Sequence, residues 1–252
     1  MTYSISQPDL FVIRTSRLIL LPSVFAIQNP AYTKLYSRLH GTPKFTEMAF
    51  GPSWGIRCWD DEAITSVIRR EIDRSWRVRG IGDFAVGLRQ DSFAASAVET
   101  ETNEGLEIWK IDGIQELESL EWIGYVGVRD ATTTSTPGAE SYHSTSRPWT
   151  QMIELRYGFD PGVWGQGYGT EAAKAVMWWC KKHIGAERFV AETELTNVGS
   201  GKILKKCGFE ELHGGEEVIW GMKGTKEWGR WATGVVRPER GLILKPDPQR
   251  KP

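Results

Sequence analysis

The 252-residue sequence predicts a single α/β domain, with a mixed, mostly antiparallel sheet of about six or seven strands and helices on both faces. Three observations predict it. A composition of 40% hydrophobic and 25% charged residues suits one globular domain. Short apolar runs bounded by Gly and Pro alternate with stretches of helical periodicity. One stretch, Met152 to Phe209, carries strand, glycine-rich loop, helix and strand in direct succession. No linker or internal repeat divides residues 1–252.

Phe11 to Leu21 reads as the first strand, stopped by Pro22. Ala31 to Leu39, after Pro30, reads as a short helix. His40 to Trp59 reads as loop, because Gly41, Pro43, Gly51, Pro52 and Gly55 interrupt it. Asp60, Asp61 and Glu62 offer an acidic helix start; Ala63, Val67, Ile68, Ile72 and Trp76 follow at helical spacing, and Gly80 stops the helix. Asp83 to Arg89 and Trp122 to Arg129 read as strands. Two insertions are expected. At about 92–120, Glu99, Glu101, Glu104, Glu107, Asp112, Glu116 and Glu118 face only Lys110, which reads as a solvated segment or as a negative rim for a cationic substrate. At about 131–148 the chain is Ser- and Thr-rich, a loop. Val218 to Met222 reads as the last strand, followed by Trp228, Trp231 and a tail at 232–252.

Met152 to Phe159 is the central strand, and Asp160-Pro161-Gly162 turns it into the loop Gly165-Gln166-Gly167-Tyr168-Gly169. The loop opens into a helix. Thr170 and Glu171 suit its first turn, Ala173, Val176, Met177, Cys180 and Ile184 form an apolar stripe, and Gly185 ends it. Arg188 to Leu195 is the next strand, and a short helix closed by Gly208 follows. Backbone amides at such a helix N-terminus bind a phosphate.

Charge and composition narrow the function. With 31 basic and 32 acidic side chains, nothing favours nucleic acid or an acidic membrane as partner. No apolar run is long enough to span a bilayer, and the first eleven residues lack the pattern of a signal peptide. Cys58, Cys180 and Cys207 have no metal-type spacing and cannot all pair, which fits a reducing, cytoplasmic setting. His40, His143, His183 and His213 form no ligand spacing, so no metal is expected. Most of the twelve tryptophans are expected to be core or pocket walls.

Three nucleotide sites compete for the glycine loop. Gly199-Ser200-Gly201-Lys202 fails as a P-loop, since Thr196 stands where glycine is needed and Ile203 where Ser or Thr is needed. Gly167 to Ala172 fits a dinucleotide fingerprint, with Glu192 as the ribose contact, and would make the chain an NAD(P)-dependent oxidoreductase. Against it, Asp160 to Gln166 separate strand from glycine, and no second mononucleotide half is visible.

The third site is for acyl-CoA. Glu154 to Pro161, followed by Trp164 to Ala172, resembles the signature of the GNAT N-acetyltransferase superfamily, in its RimJ/RimL-like branch. Asn197, Gly199, Ser200, Lys202, Leu204, Lys206, Gly208 and Phe209 are similar to that branch's second motif, and Ser16 to Leu20 to its opening strand. The resemblance implies a GNAT-like fold and acetyl-CoA as acyl donor. It implies transfer of acetyl to a primary amine, a small molecule or a protein N-terminus, by direct attack in a ternary complex. Gly158, Phe159, Trp164, Gly165, Gln166, Gly167, Tyr168, Gly169, Thr170, Asn197, Lys202 and Lys206 would bind the donor. Trp164 replaces the Gln or Arg that the superfamily often carries there. It leaves the oligomeric state open, a homodimer among the options. A non-catalytic acyl-CoA-binding protein is the remaining alternative.

The reaction needs a base for the amine proton, a donor for the oxyanion and a hydroxyl for the departing thiolate. Glu154 is the first choice of base, with a structural carboxylate as the alternative. Glu192 and Glu194 share a face of the next strand, where each contacts substrate or pairs with Arg156. Superfamily members often carry a tyrosine where Leu204 stands, so Ser200 is expected to serve as leaving-group acid, with Tyr157 and Tyr168 as alternatives. Trp54, Trp59, Trp109 and Trp122 would wall an acceptor cleft for a flat or apolar amine.

Overall fold

The structure is a computed structural model that describes residues 9–90, 98–103, 105–133, 148–213 and 225–235. The expected first strand is two: β1 (Phe11–Arg14) and β2 (Leu18–Pro22) pair antiparallel, with Ile13 opposite Leu20. The reversal is made by Thr15, whose hydroxyl accepts from the amides of Leu18 (2.9 Å) and Arg17 (3.3 Å). A short helix α1 (Ser23–Ala26) leads to α2 (Pro30–His40), capped by the Asn29 side chain.

The stretch expected to be loop contains a helix, α3 (Pro43–Phe50). Proline there is a starter rather than a breaker, because at the first helical position its missing N–H is not needed. Gly51, at φ +79°, then ends the helix. Helix α4 (Asp61–Arg74) is capped by Asp60 and runs into α5 (Trp76–Arg79), which stops at left-handed Gly80. Strand β3 (Asp83–Leu88) follows.

The acidic stretch also holds more structure than expected. A hairpin, β4 (Val98–Asn103) and β5 (Leu106–Lys110), pairs through β5 with β1 and buries Ile108 and Trp109. In the sequence the acidic neighbours mask Leu106, Ile108 and Trp109, the apolar residues of β5. The remaining elements are β6 (Trp122–Asp130), β7 (Ile153–Phe159), α6 (Tyr168–Ile184), β8 (Arg188–Glu194), α7 (Val198–Lys206), β9 (Glu210–Glu211) and β10 (Thr225–Trp231). Residues 218–222, the expected last strand, and most of the 131–148 loop and the tail lie outside the described residues. Within them β10 pairs along the whole of β8 and buries Trp228.

The described sheet has ten strands in the order β4-β5-β1-β2-β3-β6-β7-β8-β10-β9, against about six or seven expected. Every pair is antiparallel except β7–β8. Helices cover both faces. On β7, Arg156 reaches Glu71 of α4 while its neighbour Tyr157 reaches Ser200 of α7, and successive strand residues point to opposite sides. No described helix is long and apolar enough to cross a membrane.

Candidate active site

The two parallel strands pair only at Ile153–Phe189 and Glu154–Val190. Beyond that they part, although β7 continues to Phe159 and β8 to Glu194. A cavity of about 390 Å³ opens at the parting. Its walls are β7 (Tyr157 to Phe159), the glycine loop, α7 (Asn197 to Lys206) and a roof from α3, namely Phe45, Met48 and Ala49.

The loop presents its backbone to this space. Gly165 (φ +83°) and Gly167 (φ +87°) take the left-handed conformation, and Gly167 is the N-cap of α6. The amides of Thr170 and Glu171 bond the Gly167 carbonyl, whereas those of Gly165 to Gly169 have no acceptor among the described residues. A Cβ on Gly169 would lie 2.8 Å from Ile203 Cδ1, so glycine lets α7 close on α6 here. The Trp164 indole N–H donates to the Phe159 carbonyl (2.8 Å), fixing the loop to the end of β7. Lys202 and Lys206, exposed and one turn apart, stand on the cavity rim.

A second anchor comes from the β1–β2 turn. One oxygen of Glu171 accepts from Thr15 Oγ1 (2.5 Å), Ser16 Oγ (3.1 Å) and the Arg17 amide (3.0 Å); the other meets Arg17 Nε (2.7 Å). Arg17 Nη1 also donates to the Gln166 carbonyl (3.0 Å), and its guanidinium lies 4.6 Å from the Tyr168 ring centre. Burial alone would raise the Glu171 pKa, but the bonds from Thr15 and Arg17 outweigh it and hold the carboxyl below its usual range.

Carboxylates occupy the opposite face. Glu154, 7% exposed, is gripped by Arg129 through two bonds of 2.7 and 2.8 Å. Arg156 pairs with Glu71 (3.3 Å) and Asp83 (3.5 Å) instead of Glu192 or Glu194. Glu192 stands opposite buried Glu227 in the β8–β10 register, and its Oε1 is buried with no hydrogen bond among the described residues. Burial raises the Glu192 pKa; a hydrogen bond with the Thr225 side chain opposes this, and the charges of Glu154, Glu227 and Glu194 add to the rise. Glu194 lies against Gly51 at the end of α3.

The structure thus gathers eleven of the twelve expected donor-binding residues around one cavity. The exception is Gln166, whose carbonyl is taken by Arg17. Both polar ends of Asn197 have protein partners: Oδ1 accepts from the Ser200 amide (2.9 Å), and Nδ2 donates to the Met48 carbonyl (2.8 Å). Ser200 lines the cavity, and its Oγ is 2.7 Å from the Tyr157 hydroxyl. Two expected wall residues lie elsewhere. Trp109 is on β5, under Arg14, and Trp122 is buried against Tyr32 of α2. Trp54 stacks on Phe50 (4.8 Å) and Trp59 packs on His40 (5.2 Å), beside α3. Phe45, Met48 and Ala49 were missed because their helix was read as loop.

The dinucleotide reading fails on this sheet, since a doubly wound site needs parallel strands on either side of the binding crevice and only one parallel pair exists among the described strands. Comparison with known proteins points elsewhere. A family model described as acetyltransferase (GNAT) domain matches residues 26–210. An acetyltransferase from Agrobacterium tumefaciens is 18% identical with a TM-score of 0.54, over 92% of this chain and 99% of that one. The aminoglycoside acetyltransferase AAC(6')-Ib, solved with coenzyme A, is 11% identical with a TM-score of 0.51, over 88% and 94%. A Vibrio cholerae protein assigned as a ribosomal-protein-serine acetyltransferase is 16% identical with a TM-score of 0.51, over 88% and 97%. No curated protein matches the sequence. The sheet with its parted strands and the family match over most of the chain converge: the chain belongs to the GNAT family of acetyltransferases, enzymes that use acetyl-CoA as donor.

Proposed function

We propose that this chain transfers acetyl from acetyl-CoA to a primary amine, by direct attack within a ternary complex. The observation that carries the reading is the gap between β7 and β8, with unbonded loop amides at one end and buried carboxylates on the opposite face. The donor's diphosphate fits the amides from Gly165 to Gly169, with Lys202 and Lys206 beside its phosphates. Its pantetheine arm fits along β7 at Gly158 and Phe159, where β8 has moved away. Asn197 holds the α3 roof to α7 over that arm.

Glu192 is a better base than Glu154, the first choice from the sequence. Glu154 spends both oxygens on Arg129, so it acts as a fixed charge that helps keep Glu192 a strong base. An amine with a pKa of about 10 arrives protonated, and carboxylates attract it before one takes its proton. Ser200 serves the departing sulfur from the α7 side.

At the acceptor end Met48, Trp54, Leu195 and Val198 are exposed apolar side chains near Glu194. They support an amine carried on a partly apolar body. The RimJ/RimL-like motifs and the Vibrio cholerae neighbour favour a protein N-terminus, and the aminoglycoside enzyme favours a small amine. The free thiols Cys180, buried on α6, and Cys207, buried at the C-cap of α7, support a reducing, cytoplasmic setting.

The test is thiol release from acetyl-CoA across peptides of varied first residue and a set of small amines. Amine-dependent release is expected, and Glu192→Gln should lower kcat by about 100-fold. Coenzyme binding with no release for any amine would sink the reading.

A further inference from the structure

Tyr157 has no role in the mechanism so far, yet it lines the cavity beside Ser200. Its hydroxyl lies 2.7 Å from Ser200 Oγ and 3.2 Å from the Ser200 carbonyl. A phenol has one proton to give, so the two contacts describe alternative arrangements. In one, Tyr157 donates to the carbonyl, Ser200 must donate to Tyr157, and the serine proton points away from the cavity. In the other, Tyr157 donates to Ser200 Oγ and the serine proton is free to face the cavity. The shorter contact is to Oγ, and the carbonyl of Ser200 already faces the amide four residues on in α7.

We propose that Tyr157 is a positioning residue for the transfer step: it donates to Ser200 Oγ and so turns the serine hydroxyl toward the departing sulfur. The inference rests on the transferase reading above. Helix α7 fixes the other side of Ser200, through the bond from its amide to Asn197 Oδ1 (2.9 Å). The chain Tyr157 to Ser200 to sulfur gains strength as charge grows on the last member, since each bond polarises the next.

Neither hydroxyl needs to give up its proton. Burial pushes the Tyr157 pKa well above that of a thiol, and its bond to Ser200 offsets this only in part, so a thiolate is the weaker base and leaves the phenol intact. In the balanced step the ammonium loses two protons: Glu192 takes the first and passes it to solvent, the neutral nitrogen then forms its bond to the acetyl carbon, and the second proton passes to Glu192. The C–S bond breaks, and its electron pair departs on sulfur as a thiolate hydrogen-bonded by Ser200. Solvent protonates that thiolate after release.

The test is a double-mutant cycle with Tyr157→Phe, Ser200→Ala and both together, using the fastest amine of the panel. Tyr157→Phe keeps the ring that packs and removes only the hydroxyl. The expected result is a kcat about tenfold lower, with the KM for acetyl-CoA and the melting temperature little changed. In the Ser200→Ala background the same change should cost nothing more, because the group it positions is gone. A wild-type rate in Tyr157→Phe would overturn the inference while leaving the transferase reading intact. Equal losses in both backgrounds, or a raised KM with a lowered melting temperature, would also overturn it and assign Tyr157 to packing. No thiol release by the wild-type chain would overturn the underlying reading and this inference with it.

Discussion

Glutamine at position 171 would isolate the anchor that the β1–β2 turn places on the phosphate loop. The amide oxygen can keep the bonds from Thr15, Ser16 and the Arg17 amide, all of which fall on one oxygen. The NH2 group then meets the Arg17 guanidinium, donor against donor, where a carboxylate oxygen sat 2.6 to 2.7 Å away. Two charge-assisted bonds are lost, worth about 3 to 6 kcal/mol together if both were fully buried. The Arg17 side chain is 46% exposed, so water screens and replaces much of this. A loss of about 1.5 kcal/mol follows, or about 4 °C in melting temperature for a chain of this size. The functional effect is separable. Arg17 also holds the Gln166 carbonyl, so its release frees the middle of the loop. We expect the KM for acetyl-CoA to rise about tenfold, equivalent to about 1.4 kcal/mol of binding, with kcat within about twofold. Melting curves and initial rates at varied donor concentration read both. A fall in stability with an unchanged KM would refute the claim that this anchor shapes the loop.

Two further outcomes follow from titratable groups. His40 is buried among Tyr36, Phe45, Phe50 and Trp59, and burial pulls its pKa down to about 4. The unfolded chain binds that proton first as pH falls, so stability present above pH 6.5 is lost through pH 4, by about 3 kcal/mol in full. His40→Phe should flatten denaturant midpoints between pH 7 and 4, and an equal slope in both proteins would contradict this. Glu192 behaves in the opposite sense. Its pKa is raised by folding, so the native state holds a proton that the unfolded state has shed, and stability falls as pH rises through that window. Glu192→Gln should therefore melt higher than wild type at pH 8 while being nearly inactive, and a lower melting point would count against the buried charge.

The donor half of the site was legible because its chemistry is written locally. Gly165, Gly167 and Gly169 lie within five residues, and strand, loop and helix follow without a break. Asn197, Ser200, Lys202 and Lys206 fall on one short helix and its N-cap beside it. The acceptor half was less legible, because it is assembled across the chain. The guanidinium that holds Glu154 comes from Arg129 on β6, and the neighbours of Glu192 come from β7 and β10. No spacing rule links those positions. Local misreadings had local causes. Pro43 starts α3 although a proline among glycines reads as a breaker, and a hydroxyl turn at Thr15 hides inside an apolar run that looks continuous. The charge of the 92–120 stretch masked a hairpin that extends the sheet at the edge away from the cavity.

The central claim is that peptide amides of the glycine loop bind the diphosphate of the donor, and a calorimetric series tests it most directly. Coenzyme A, phosphopantetheine and pantetheine share the arm that would lie along β7 but differ in the anion the loop would hold. The account predicts that affinity falls at least tenfold from coenzyme A to phosphopantetheine, which keeps one phosphate and lacks the adenosine, and at least tenfold again to pantetheine, which lacks the last phosphate and gives little or no heat. Equal affinity for pantetheine and coenzyme A would show that the loop amides hold nothing, and would contradict the account.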